Sequence, residues 1–149
     1  MQWEKLTDEA LLSCLVIGEQ RGLEDYFLRG IEWMFIIETI RERMIDRRWP
    51  DTIRGVILQA QQFSCFNSND DPNTREMWRH YTENTSLFRE AHKFVQAQLN
   101  GQNGQIAAVV RPNHYLVNPL YYSSRAPDWV VKMEIIYDGG PRGHIFLRG

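Results

Sequence analysis

A carboxylate closes the first apolar stretch of the chain: "LVIGEQRG", residues 15–22, runs from Leu15 to Glu19 and breaks at Arg21-Gly22. Leu11 and Leu15 lie eight and four residues before Glu19, and Leu12 and Val16 seven and three before it. Those are same-face spacings on an α-helix, so the acid falls at the end of an apolar stripe rather than on the wet side. A carboxyl group among apolar side chains loses hydration, which disfavours its charged form and raises its pKa. Such an acid can keep its proton near neutral pH and donate it to a leaving oxygen, the requirement for cleaving a glycosidic bond. The plainer alternative is a frayed helix end with Glu19 paired to Arg21 or Arg43. The pattern alone leaves both open.

Other reactive side chains carry weaker signals. His80, His92, His114 and His144 show no H-E-x-x-H or other ligand spacing, so neither a metal nor a cofactor is expected. The two cysteines, Cys14 and Cys65, form no C-x-x-C, which disfavours a thiolate zinc site. Buried free thiols or a disulfide are more ordinary readings than Cys65 as a nucleophile beside His114 or His144. There is no G-x-S-x-G elbow, and Ser64 in "FSCF" lacks that context. "YDGGPRG" follows no βαβ pattern and reads as a hairpin connection. "RERMIDRR" is interleaved with Glu42 and Asp46 and reads as a solvated helix face.

The elements that must position these groups follow from periodicity and punctuation. A first helix is expected over about Glu9 to Gln20, capped by Thr7 or Asp8, with Gly22 as its stop. A long helical pattern covers about Glu24 to Arg48, with a possible break at Gly30 and an end enforced by "RRWPD". Asp51 is placed to cap a short helix through Ile53, Val56 and Ile57. After the loop "QQFSCFNSNDDPNT", two more helices are expected over about Thr74–Glu83 and Ser86–Leu99. "IAAVV", "HYLVN", "MEIIY" and "GHIFLRG" then read as short strands separated by Pro and Gly. The expectation is a single α+β domain spanning residues 1–149, a helical body followed by a small C-terminal antiparallel sheet.

Composition narrows the partners. With a formal net charge of -2, the chain lacks the basic excess of a nucleic-acid binder. The most apolar window, "IEWMFIIETI", is interrupted by Glu32 and Glu38 and is too short to span a bilayer. No signal peptide is visible in "MQWEKLTDEA". Five Trp residues suggest an aromatic-lined groove, although most Trp side chains pack in cores.

Taken together, several segments resemble the SleB-like cell-wall hydrolases, which include spore cortex-lytic enzymes and phage and prophage lysis proteins. The segments are "IGEQRG", "RRWPDTIRGVILQAQQFSCFN", "NHY", "APDW" and "GHIFLRG", and they come in the family's order. The most specific portion is "PDTIRGVILQ" with "QFSCFN", whose Phe63 stands thirteen residues after Pro50. The resemblance covers essentially the whole chain. It implies a compact lysozyme-like fold that cleaves peptidoglycan glycan strands between N-acetylmuramic acid and N-acetylglucosamine. Glu19 matches the family's general acid, and the reaction implied is that of a lytic transglycosylase leaving a 1,6-anhydro end.

On this reading Gln62, Phe63 and Ser64 from the loop, and Tyr115, Trp129 and His144 from the sheet side, are the candidates to bind substrate. Aromatic faces suit sugar rings, and Gln62 and Ser64 can hydrogen-bond N-acetyl groups. The chain departs from the family pattern at several positions. Leu23 stands where a second glutamate is common, Glu42 replaces an asparagine, no Asn precedes His144, and Leu147 replaces a tyrosine. The alternatives are a muramidase using Glu24 or Glu42 as a second carboxylate, an amidase, or a non-catalytic wall-binding or structural virion component. Action at the bacterial wall without a signal peptide would call for carriage on a phage particle or release by a holin-type helper.

Overall fold

Thr7 fixes where the first helix begins: its hydroxyl accepts a hydrogen bond from the Ala10 amide at 3.1 Å, and α1 runs over Asp8–Glu19. The computed structural model describes residues 1–59, 63–66, 68–101 and 111–149. Every residue of α1 from Ala10 to Ile17 is buried. The apolar stripe expected from sequence is therefore a helix covered on all sides, the pattern of a core helix rather than a surface one. Neighbouring helices pack around it, chiefly α5 (Ser86–Leu99), α4 (Pro72–Thr82) and α3 (Ile53–Leu58).

Helix α2 spans Tyr26–Ile45, capped by the Asp25 carboxylate on the Leu28 amide. It passes through Gly30 without a break and ends at Ile45, several residues ahead of Pro50. Thr52, not Asp51, caps α3, its hydroxyl accepting from the Gly55 amide at 2.9 Å. Asp71 caps α4 with Pro72 in the first turn, so that helix starts two residues earlier than its periodicity suggests. Thr85 caps α5, whose bounds agree with the expected ones.

The sheet is antiparallel in the order β1-β3-β2, with β1 at His114–Val117, β2 at Glu134–Asp138 and β3 at His144–Arg148. β2 and β3 form the hairpin expected at "DGGPRG", closed by the Gly139 amide on the His144 carbonyl at 2.8 Å. The one-turn helix α6, Asn118–Tyr121, follows β1. The expected strand "IAAVV" lies outside the described residues. The chain is thus α+β, with six helices and three strands among the described residues.

Register decides which side chains meet the helices. Tyr115 pairs with Phe146 and Val117 with His144, so these four share one face of the sheet. Phe146 on that face joins the main core, with Trp33, Phe35 and the α1 leucines. Ile145 and Leu147 point the other way, into a small second cluster with Leu116 and Val130. Covered on both faces, β3 reads as a continuous apolar run, as central buried strands do.

Candidate functional site

Glu19 is the last residue of α1, and the turn that carries it is held by side chains from elsewhere in the chain. The Arg21 guanidinium donates to the Ile17 carbonyl at 3.3 Å, and Asn73 of α4 donates to the Gly18 carbonyl at 3.0 Å. Arg21 also donates to Asn73. The Trp33 indole donates to the Gln20 carbonyl at 2.7 Å. Three helix-end carbonyls that would otherwise lack partners are satisfied in this way. The helix stops at Glu19, one residue before the expected end at Gln20, because Gln20 leaves helical geometry to meet Trp33.

The Glu19 side chain is 16% exposed, deeply set yet reachable. Among the described residues its Oε1 accepts only a thiol hydrogen bond, from Cys65 at 3.4 Å. Its Oε2 lies 3.8 Å from His144 Nε2, beyond ordinary hydrogen-bond length. A thiol is a weak donor, so neither contact replaces the water the carboxylate has lost. Burial therefore pushes the Glu19 pKa up, while His144 and the Cys65 thiol act in the opposite direction and do not cancel it. The negative end of the α1 dipole works with burial, since it disfavours an anion there. Arg21 and Arg43 turn elsewhere, Arg21 to Ile17 and Asn73 and Arg43 to the Asn113 carbonyl at 2.8 Å.

Around the acid, the structure gathers some of the expected residues. His144 enters from β3 and Tyr115 from β1, their rings edge to face at 5.4 Å. The Tyr115 hydroxyl is buried without a hydrogen-bond partner among the described residues, and burial followed by the nearby Glu19 charge holds its pKa well above the ordinary tyrosine range. It stays a proton donor. Cys65 is likewise raised well above a usual thiol, by burial first and then by Glu19, so it is protonated rather than a thiolate. Cys14 and Cys65 are free thiols.

Two expected substrate contacts are placed differently. Phe63 is buried, stacked 6.0 Å from Tyr115 and beneath the Arg43 guanidinium, so it forms a floor under Tyr115 rather than an open aromatic face. Trp129 packs 5.2 Å from His114, whose side chain leaves β1 on the side opposite Tyr115. The fold therefore does not bring Trp129 to Glu19, although Trp129 is 40% exposed. Gln62 and the side chain of Ser64 lie outside the described residues.

One member of the cluster escapes the sequence reading: Glu32, in the second turn of α2. Its Oε1 lies 2.8 Å from His144 Nδ1 and accepts from the His144 amide at 3.1 Å and from Gln20 Nε2 at 3.2 Å. The signal was present as a charge interrupting the apolar run "IEWMFIIETI". Nothing local says that such a charge faces inward.

The departures from the family pattern have structural partners. Glu42 forms an ion pair with Arg148 at 2.8 Å, tying the end of α2 to β3. Leu147 fills the second cluster, on the face of the sheet turned away from Glu19. Among the described residues, no group of three or more His, Cys, Asp and Glu side chains is arranged to hold a metal ion, and no helix is long and apolar enough to cross a membrane.

Fold and site together define an α+β protein with a solvent-reachable acid at a helix end, facing a histidine and a tyrosine across a small sheet. A family model described as Cell Wall Hydrolase matches residues 32–137, and the chain belongs to that family. The matched segment contains Glu32, Phe63, Tyr115 and Trp129, while Glu19 and His144 lie outside it. No curated protein and no solved structure matches the chain.

Proposed function

We propose that this cell-wall hydrolase cleaves the peptidoglycan glycan strand between N-acetylmuramic acid and N-acetylglucosamine, as a lytic transglycosylase with Glu19 as its acid and base. The observation that carries this reading is the carboxyl of Glu19, raised in pKa by burial yet open to solvent at one edge. Glu19 gives its proton to the glycosidic oxygen as the bond to C1 breaks. The 6-hydroxyl of the muramic acid then attacks C1, and its proton passes to Glu19. The ring closes without water, and the acid is restored.

A muramidase would use a second carboxylate, either to activate water on the far side of the sugar ring or to attack C1 itself. Glu32, which shares the site, is 1% exposed and lies behind His144. Glu42 is taken by Arg148, and Glu24 stands exposed on the loop before α2. These placements favour the single-acid mechanism. The altered positions Glu42 and Leu147 belong to the scaffold, which weakens the case for a non-catalytic wall-binding protein. Tyr115 is proposed as a donor to the sugar or its N-acetyl group.

Glu19→Gln tests the reading. The variant should bind sacculi, fold normally and release no glycan fragments; retained cleavage would remove Glu19 from the mechanism.

A further inference from the structure

The general-acid mechanism leaves the buried carboxylate of Glu32 unused. Glu32 is fully buried within α2, where an ionisable side chain is costly unless it is held. All of its hydrogen bonds fall on Oε1, while Oε2 is buried without a hydrogen-bond partner among the described residues. That bare oxygen lies against the hairpin between β2 and β3. A methyl group added at either Gly139 or Gly143 would run into it. The hairpin is glycine-rich here because it wraps a carboxylate.

The donors at Oε1 fix the protonation of the histidine. Oε1 accepts from two N–H groups, the His144 amide and Gln20 Nε2, which suits an ionised carboxylate oxygen better than a hydroxyl toward Nδ1. Nδ1 must then carry the ring hydrogen for the 2.8 Å contact to be a hydrogen bond. Nε2, on the far side of the ring, is left as an acceptor facing Glu19 Oε2 at 3.8 Å. An approach of somewhat under about 1 Å would bring the two within hydrogen-bond reach.

We infer that Glu32 is a positioning residue that fixes the Nδ1–H tautomer of His144 and holds Nε2 toward Glu19, so that the Glu19–His144 pair shares one proton. The inference rests on Glu19 being the acid of the proposed function. A proton leaving Oε2 is the one gained by Nε2, and the Glu32 carboxylate then faces the imidazolium so formed. Among the described residues, the other groups facing this pair are the Cys65 thiol from the turn at Ser64–Phe66 and the Tyr115 phenol from β1, both held protonated. Tyr137 of β2 stands near Glu32 and is also raised, by burial first.

The test combines ring-nitrogen NMR with kinetics on purified sacculi. In the wild type, two-bond 1H–15N correlations, assigned with a His144→Gln variant, should show the Nδ1–H tautomer. Glu32→Gln keeps an amide oxygen as acceptor for Nδ1–H but removes the charge that faces the imidazolium. The Nδ1–H tautomer should persist, and kcat should fall by about 100-fold with KM within about twofold. In a His144→Gln background, Glu32→Gln should cost nothing further, because its effect passes through the histidine.

An Nε2–H tautomer in the wild type overturns the inference without any variant. So does full turnover in Glu32→Gln, or an additive loss in the double variant, which would mark Glu32 as merely structural. Wild-type protein that shows the Nδ1–H tautomer but releases no glycan fragments would overturn the general-acid reading and leave the positioning intact.

Discussion

Glu19 combines two properties that usually exclude each other, burial enough to raise its pKa and exposure enough to meet a substrate. Because its folded pKa lies above the unfolded value, the folded state binds that proton more tightly. The associated stability is fully present below the unfolded glutamate pKa of about 4.3 and is lost as pH rises through the folded pKa. Glu19→Gln removes this loss. We expect its melting temperature to equal or exceed the wild type by up to about 4 °C at neutral pH, with the difference shrinking in acid. Thermal melts of both proteins across pH check this, and a variant clearly less stable at neutral pH would contradict it. Tyr115→Phe deletes a buried hydroxyl that has no partner among the described residues, so its stability should change by less than about 1 kcal/mol while turnover falls about tenfold. A larger stability loss by denaturant titration would mean that the hydroxyl is satisfied in the fold.

At this scale the sequence was partly legible. Glu19 stood out because helical spacing put a charge where apolar side chains were due, and the structure places Tyr115 and His144 beside it. Phe63 and Trp129 show where such reading runs out. Both are aromatic residues in suggestive segments, yet core packing claims one and strand alternation sends the other to the far face. Glu32 was visible only as an interruption, since its partner His144 is 112 residues away in the chain.

Among the elements, caps and punctuation set the helix ends more sharply than periodicity did. Thr7, Asp25, Thr52, Asp71 and Thr85 each accept a backbone amide at a helix start. The end of α1 falls within one residue of the expected Gln20, although tertiary partners terminate it rather than Gly22. Trp33 is the anchor there, with its indole on the Gln20 carbonyl. Trp33→Phe keeps most of the apolar contact but strips that carbonyl of its donor. The expected cost is about 1–3 kcal/mol in denaturant unfolding. Turnover should fall as well, because the Glu19 turn loosens. Unchanged stability would show that the terminus is held by Arg21 and Asn73 alone.

For the whole molecule, the α+β arrangement followed from the change of pattern after the last long helix, where periodicity shifts from helical to alternating and Gly and Pro multiply. Strand order did not follow. Placing β3 between β1 and β2 depends on contacts remote in sequence, and that order is what turns His144 and Tyr115 toward α1 while Leu147 faces away. Ties between α2 and the sheet, such as Glu42 with Arg148, keep the two halves of the site in register. Glu42→Ala should lower stability by about 0.5–1 kcal/mol and leave the product unchanged, as expected for a partly exposed ion pair remote from the reacting bond. A changed product would place Glu42 in the chemistry.

The central claim is the bond cut and the acid that cuts it. Mass spectrometry of the soluble products from purified sacculi, with wild type and Glu19→Gln run in parallel, tests both at once. The account predicts 1,6-anhydro-muropeptides from the wild type and none from the variant. Reducing-end muropeptides, free stem peptides, or the same products from Glu19→Gln would contradict it.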